Sequence, residues 1–191
     1  MIHQKNSKMK EKSPIYIFDT NIFLTGIDFN LIKGKIYTTP KIIEEIKVRK
    51  YKDKNRNILN KIEAATNSKK LILTIPSEKY VYRVEQKSKS TGDYKALSEA
   101  DKELIALSLE IMENQDENVK IYSNDYSIEN VCSELNIPFS PLHKDGINSK
   151  IIWEIYCPFC KSIHKAEDLN NKCEKCGSKL KRRPKSSNII Y

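Results

Sequence analysis

Four carboxylates in this chain stand where the sequence gives a merely solvated acid little reason to be. Asp19 closes the apolar run Ile15-Tyr16-Ile17-Phe18, and Asp125 follows shortly after Val119-Lys120-Ile121-Tyr122. Glu45 lies in Ile42-Ile43-Glu44-Glu45-Ile46, and Asp101 opens the helix-like stretch Leu97-Ser98-Glu99-Ala100-Asp101. If the two runs are parallel strands, their C-terminal ends share one sheet edge, which is where open α/β sheets place a ligand crevice. Acids gathered there repel one another by roughly 3 kcal/mol per pair at about 5 Å and an effective dielectric of about 20. Divalent cations remove that cost, and carboxylate oxygens suit Mg²⁺ or Mn²⁺. The pattern predicts a metal-dependent catalytic site at Asp19, Glu45, Asp101 and Asp125. Each acid also has a plain structural reading. Ser98-x-x-Asp101 is a capping box, Asp19 and Asp125 suit helix N-termini, and Glu45 can face water beside Lys41 and Arg49.

A second constellation is sulfur. Cys157-Pro158-Phe159-Cys160 and Cys173-Glu174-Lys175-Cys176 form two C-x2-C pairs with twelve residues between them. Two such turns complete a tetrahedral Zn²⁺ site with no open position, so the predicted zinc is structural. A module of about 30 residues has too little core to fold alone, and the metal supplies its folding energy. His164 lies between the pairs, but four Cys already satisfy the metal. Cys132 sits among apolar neighbours and reads as an inert buried thiol.

The elements that must hold these groups follow from periodicity. Ile15–Phe18, Ile36–Thr38, Leu71–Ile75 and Val119–Tyr122 read as strands. Helices are predicted from Thr39-Pro40 onward, over Ile58–Ala65, over about Ser77–Gln86, along Leu97, Ala100, Leu104, Leu107 and Ile111, and along Ile128–Leu135. Lys87–Asp93 reads as a loop. Alternation of β and α predicts an α/β parallel sheet flanked by helices, followed by a small zinc ribbon. The expected division is a basic disordered tail over 1–13, the α/β domain over 14–139, a linker over 140–150, the ribbon over 151–183 and a flexible basic tail over 184–191.

The formal net charge is +9, and residues 144–191 hold 11 of the 34 basic residues but only 5 of the 25 acidic ones. A basic balance favours an anionic partner such as nucleic acid. Two regions are candidate RNA contacts: Lys47, Arg49, Lys50, Lys52, Lys54 and Arg56, and then Lys179, Lys181, Arg182 and Arg183, continued by Lys185. Each also reads as solvated surface. Phe159 suits either stacking on an unpaired base or packing with Trp153 and Tyr156. No apolar stretch approaches the ~18 residues of a membrane span, and Met1–Ser13 has no apolar signal-peptide core. The expectation is a cytoplasmic chain with reduced or metal-bound cysteines.

Phe18-Asp19-Thr20-Asn21, Glu45-Ile46-Lys47, Thr91-Gly92-Asp93-Tyr94 with Leu97-Ser98-Glu99-Ala100-Asp101, and Asn124-Asp125-Tyr126-Ser127 with Asn130-Val131 together resemble a PIN-domain nuclease. With the four-cysteine ribbon and Lys181-Arg182-Arg183, residues 15–183 resemble the Nob-type endoribonucleases of small-subunit ribosome maturation. The resemblance implies an α/β/α fold and Mg²⁺- or Mn²⁺-dependent cleavage of pre-16S or pre-18S rRNA near its mature 3′ end, in ribosome assembly particles. It carries the catalytic and metal-holding roles onto Asp19, Glu45, Asp101 and Asp125. Asp19 and Asp101 would hold the principal ion, with Thr20 and Asn21 orienting the first carboxylate. Members often carry a further acid where Asn124 stands, which leaves one or two ions open. The small PIN-plus-ribbon layout suits an archaeal member. Two other classes fit the same residues: a non-catalytic zinc-ribbon RNA-binding assembly protein whose acids are caps, and a toxin-like PIN RNase, a type that usually lacks a ribbon.

Overall fold

The computed structural model describes residues 13–48, 55–115, 118–141 and 149–189. The expected N-terminal tail lies almost wholly outside them, as do Arg49, Lys50, Lys52 and Lys54. The first sheet contains β1 (Ile15–Phe18), β2 (Lys35–Thr38), β3 (Leu71–Leu73), β4 (Val119–Tyr122) and β5 (Phe139–Ser140). Its spatial order is β3-β2-β1-β4-β5, and every neighbouring pair is parallel. Helices α1 (Thr20–Leu24), α2 (Pro40–Ile46), α3 (Arg56–Asn67), α4 (Glu78–Thr91), α5 (Glu99–Gln115) and α6 (Tyr126–Glu134) supply the crossovers. The order reverses between β1 and β4, the topological switch point at which such sheets open a crevice beyond their strand ends.

The strands are near-continuous apolar runs because both sheet faces are covered. Ile17, Ile36 and Ile121 are fully buried in one core with Leu104 and Ile105 of α5. Thr39 caps α2, its hydroxyl accepting from Ile42 N at 3.5 Å, with Pro40 at the first helical position.

Two expectations along this domain need correction. Lys87–Thr91 is the last part of α4, not a loop. The side-chain hydroxyls of Ser88, Ser90 and Thr91 bond back to carbonyls three residues earlier, so polar residues are accommodated inside the helix. The helix stops at Gly92, whose φ of 79° is the left-handed conformation glycine adopts at a helix end. Ser140, expected in the linker, is in β5 and pairs with Tyr122.

The second sheet is antiparallel, in the order β7-β6-β8, with β6 spanning Ser149–Tyr156, β7 Ile163–His164 and β8 Lys181–Ile189. Ser149 and Lys150 are therefore strand, not linker. Residues 184–189 are also strand, paired along β6 as far as Ser149↔Ile189, where a flexible tail was expected. Pro184 lies within this strand. It sits beside a register shift at Ile152/Trp153, the kind of irregularity where a strand tolerates a residue without an N–H.

The ribbon is docked on the α/β domain. The Asn130 side chain acts as a peptide toward β6, its Nδ2 donating to Ile151 O at 2.8 Å and its Oδ1 accepting from Ile151 N at 3.0 Å. The same Nδ2 donates to Asp93 Oδ2 at 2.6 Å, and Arg182 of β8 donates to Asp93 Oδ1 at 3.0 Å. Lys89 and Glu167 pair at 3.2 Å. Gly92 lets the Trp153 backbone approach so closely that a Cβ there would lie 2.4 Å from the Trp153 carbonyl oxygen.

Candidate active site and zinc centre

All four predicted acids lie at the C-terminal ends of the parallel strands or on the helix turns facing them. Asp19 leaves β1 directly, and its N–H continues the ladder to Tyr122 O of β4 at 3.2 Å. It is 3% exposed, and Oδ1 accepts from Thr20 N at 2.6 Å. Oδ2 accepts from Ser123 Oγ at 2.8 Å and Asn21 Nδ2 at 3.4 Å. Asp125 caps α6 by accepting from Ser127 N at 2.7 Å, and its own N–H donates to Ser123 Oγ at 3.0 Å. Ser123 thus ties the acids that follow β1 and β4 to each other.

Glu45, half-buried on α2, accepts from the Thr20 hydroxyl at 2.6 Å and from Ser98 Oγ at 3.4 Å. Asp101 closes a reciprocal capping box at the start of α5. Its Oδ2 accepts from Ser98 N at 2.8 Å, while its N–H donates to Ser98 Oγ at 3.1 Å. The capping reading of Asp101, Asp19 and Asp125 is therefore correct. It does not compete with a ligand role, because a cap fixes the carboxylate that a ligand would meet.

The electrostatics show that these groups share one region. Burial pushes the Asp19 carboxyl up from 3.8 to about 6, with the charges on Asp101 and Asp125 adding to the rise and the Ser123 and Thr20 bonds opposing it. Asp101 is raised too, by burial first and then by Asp125 and Glu45. Among the described residues, no lysine or arginine ion pair reaches any of the four. A crowd of carboxylates held up by burial and mutual repulsion, without a cationic side chain to neutralise it, suits a hard divalent cation. The cluster is open: among the described residues, only the four cysteines form a group of three or more possible ligand atoms within 4.8 Å of one another.

That cysteine group fits zinc. Cys157 Sγ lies 3.3 Å from Cys176 Sγ, and Cys160 Sγ lies 3.6 Å from Cys173 Sγ. Four thiolates at Zn–S distances of about 2.3 Å stand about 3.8 Å apart in a tetrahedron, so little adjustment is needed. Backbone N–H groups and the Ser162 hydroxyl point at the Cys173 sulfur and outweigh its burial, lowering the thiol to about 7 and favouring the thiolate a metal needs. His164 Nε2 sits 3.5 Å from Cys173 Sγ and 2.9 Å from Ser162 Oγ, beside the four sulfurs. Cys132 is fully buried, and burial pushes its thiol up, in keeping with an inert residue.

The basic candidates divide. Lys47 and Arg56 are exposed on either side of the segment outside the described residues. Arg182 and Arg183 are committed within the chain: Arg182 to Asp93 and the Trp153 ring, Arg183 to Glu154 and the Tyr156 ring. Lys179 and Lys181 line a cavity of about 540 Å³ with Lys95 and Arg182 at the junction of ribbon and α/β domain. Phe159 is 77% exposed, so it does not pack with Trp153.

Sequence reasoning missed the polar residues that set these acids, Ser123, Thr20 toward Glu45, and Ser98 toward Glu45. Their partners are distant in sequence, with 104 residues separating Ser123 from Asp19. It also missed the junction role of Asp93 and Asn130, for which no local pattern gives a signal.

The family model for the PIN domain of ribonuclease matches residues 16–111. Endoribonuclease Nob1 of Methanocaldococcus jannaschii is 31% identical over 92% of this chain and 80% of its own length. Endoribonuclease Nob1 of Pyrococcus abyssi is 32% identical over 88% of this chain and 93% of its own. Ribonuclease VapC1 of Thermoplasma acidophilum is 30% identical over 88% of this chain and 77% of its own.

Proposed function

The chain belongs to the PIN-domain ribonucleases of the Nob type, and from that premise we propose that it is an endoribonuclease that matures the 3′ end of small-subunit rRNA. The proposed ligands for Mg²⁺ or Mn²⁺ are Asp19, Glu45, Asp101 and Asp125, with Zn²⁺ on Cys157, Cys160, Cys173 and Cys176. The proposed substrate is the pre-16S or pre-18S transcript in its assembly particle. The observation that supports this reading is that acids from four separate elements lie around the β1/β4 switch point near enough to influence one another, with burial first and their mutual charges after it holding Asp19 and Asp101 above the ordinary carboxylate range.

When bound, a divalent cation supplies a water of lowered pKa and offsets charge on the scissile phosphate. The chain's own residues arrange the site. Asp19 is fixed by three donors and can take only one orientation. Thr20 uses its N–H on Asp19 and its hydroxyl on Glu45, so one residue sets the relative placement of two acids. Asp101 and Asp125 are each held to a helix start through one carboxylate oxygen. Lys95, Lys179 and Lys181 offer phosphate contacts between the ribbon and that edge. Among the described residues, no helix is long and apolar enough to cross a membrane.

The test is cleavage of an RNA spanning the precursor's 3′ end, with Mn²⁺ or with EDTA, by wild type and Asp19→Asn. The expected result is one dominant cut with 5′-phosphate and 3′-hydroxyl ends, absent in EDTA. In Asp19→Asn it should be slower by about a thousandfold with RNA affinity kept. Cleavage that survives EDTA, or normal rates in Asp19→Asn, would sink the acid assignment. Indiscriminate cutting of unrelated RNAs would leave a general RNase, as the VapC1 relative's name suggests, and remove the rRNA role.

A further inference from the structure

A cavity of about 370 Å³ opens where the ribbon meets the α/β domain, lined by Asp93, Tyr126, Ser127, Ile151, Trp153 and Arg182, with Asn130 completing it. It adjoins the acid edge through the chain itself. Tyr126 and Ser127 immediately follow Asp125, and Ser127 N holds the Asp125 carboxylate at 2.7 Å. Its walls are largely flat and apolar, from Tyr126, Ile151 and Trp153, while Asp93 is fully buried and bonded by both Asn130 and Arg182. The Arg182 guanidinium lies 4.4 Å from the Trp153 ring centroid and also lines the neighbouring lysine-rich cavity of about 540 Å³.

We propose that this cavity is a nucleobase subsite, which takes one unpaired base of the RNA strand whose scissile phosphate lies at the four acids. Aromatic walls offer a stacking surface to any base, and Lys95, Lys179 and Lys181 of the neighbouring cavity suit the backbone that continues from it. The volume admits a purine or a pyrimidine with its ribose but not a second stacked nucleotide. Because the cavity exists only when ribbon and α/β domain are docked, the ribbon acts in this reading as half of the binding site for the nucleotide at or beside the cut. The inference rests on the nuclease reading and adds a position-specific contact to it.

Trp153 is the only tryptophan of the chain, so its fluorescence reports directly on the cavity. The full-length, zinc-loaded protein is titrated with a short unstructured RNA in the absence of Mg²⁺ and Mn²⁺, and the titration is repeated with an abasic nucleotide moved along the strand. The expected result is saturable quenching by the intact RNA. One abasic position should abolish the quenching and weaken binding by about tenfold, the others leaving both unchanged. Tyr126 is 53% exposed, so Tyr126→Ala should fold. It should bind intact RNA more weakly and no longer distinguish that abasic position, whereas Tyr126→Phe should behave like wild type. RNA binding without a change in Trp153 fluorescence, or an abasic penalty of the same size in Tyr126→Ala, would overturn the subsite. The measurement needs no cleavage. A protein that binds as expected but never cuts RNA would refute the nuclease reading, and one that cuts but shows no abasic position would refute the subsite alone.

Discussion

The acid edge and the cysteine module both gather like groups at one point, and they do so by opposite routes. The carboxylates stand on a fold that is complete without them, since Ile17, Ile121, Leu104 and Ile105 beneath them are fully buried core. The module's buried cluster is Ile155, Cys157, Leu169, Cys173 and Leu180, so two of its five members are cysteines proposed to hold zinc. In the first region the fold positions the acids, at the cost of a burial, with mutual repulsion added to it, that raises Asp19 and Asp101. In the second the cysteines are part of the core, so a metal held by them would be part of the fold. The two regions should therefore respond differently to the same perturbation.

The largest difference is expected from removing a thiolate. Structural zinc contributes about 10 kcal/mol or more to the folding of such modules, and four thiolates in a closed shell release it slowly. Cys173→Ser should lose bound zinc and unfold residues around β7, while the sheet of β1–β5 keeps its cooperative unfolding transition. Metal-dependent cleavage of the precursor RNA should persist at a reduced rate, with weaker RNA affinity and a shallower salt dependence as Lys179 and Lys181 lose their common surface. Brief mild EDTA treatment should do the reverse, stopping cleavage with zinc retained, and Mn²⁺ alone should restore it. Zinc content, circular dichroism and RNA affinity over a salt series check both. Loss of the α/β transition in Cys173→Ser would mean that the two regions are one folding unit.

How much of this the sequence discloses follows from the same contrast. The cysteine ligands are adjacent pairs, so spacing alone identifies them. The acids are placed by strand ends and helix starts, and those are local too: an apolar run followed by Asp19, a Thr39-Pro40 helix start, a Ser98-x-x-Asp101 box. What stays hidden is everything set by pairing across the chain. Ser123 under Asp19 and Thr20 against Glu45 depend on β1 lying beside β4 and on α2 crossing above them. The end of α4 was obscured by Ser88, Ser90 and Thr91, which read as a loop until their hydroxyls find carbonyls one turn back. The reach of β8 depends on its pairing with β6, and the docking of the ribbon on Asp93 and Asn130, which stand isolated in sequence.

The junction between the two regions offers a sharper break. Gly92 has φ 79°, and a Cβ there would meet the Trp153 carbonyl oxygen at 2.4 Å, with backbone atoms that cannot turn aside. Gly92→Ala should push β6 away, parting Asn130 from Ile151 and Arg182 from the buried Asp93. Asp93 would keep its bond from Asn130 and lose the one from Arg182. The expected outcome is an α/β domain and a zinc-loaded ribbon that are each folded but no longer docked, seen as faster amide exchange along β6 and a shift of Trp153 emission to the red. Normal protection of β6 in this variant would show that the close approach is not what fixes the ribbon.

The smallest effect tests the cost the acid edge carries. Folded Asp19 takes up its proton at about 6, whereas an unfolded aspartate does so near 3.8. Between those values the folded chain binds the extra proton, so raising the pH removes stability instead of adding it. The cation-free protein should therefore lose up to about 3 kcal/mol between pH 4 and pH 6 from this one group and little more above. Asp101 and Asp93, both raised by burial, act in the same direction. Asp19→Asn keeps the shape and an acceptor oxygen and carries no titrating proton. It should match wild type near pH 4, unfold at a higher urea concentration at pH 7, and show a flatter pH slope. Saturating Mg²⁺ should narrow the gap, because a cation at the edge relieves in wild type the repulsion that the substitution removes. Equal midpoints at pH 7 without the cation would mean that Asp19 is ionised at little cost and that the acid edge carries no such penalty.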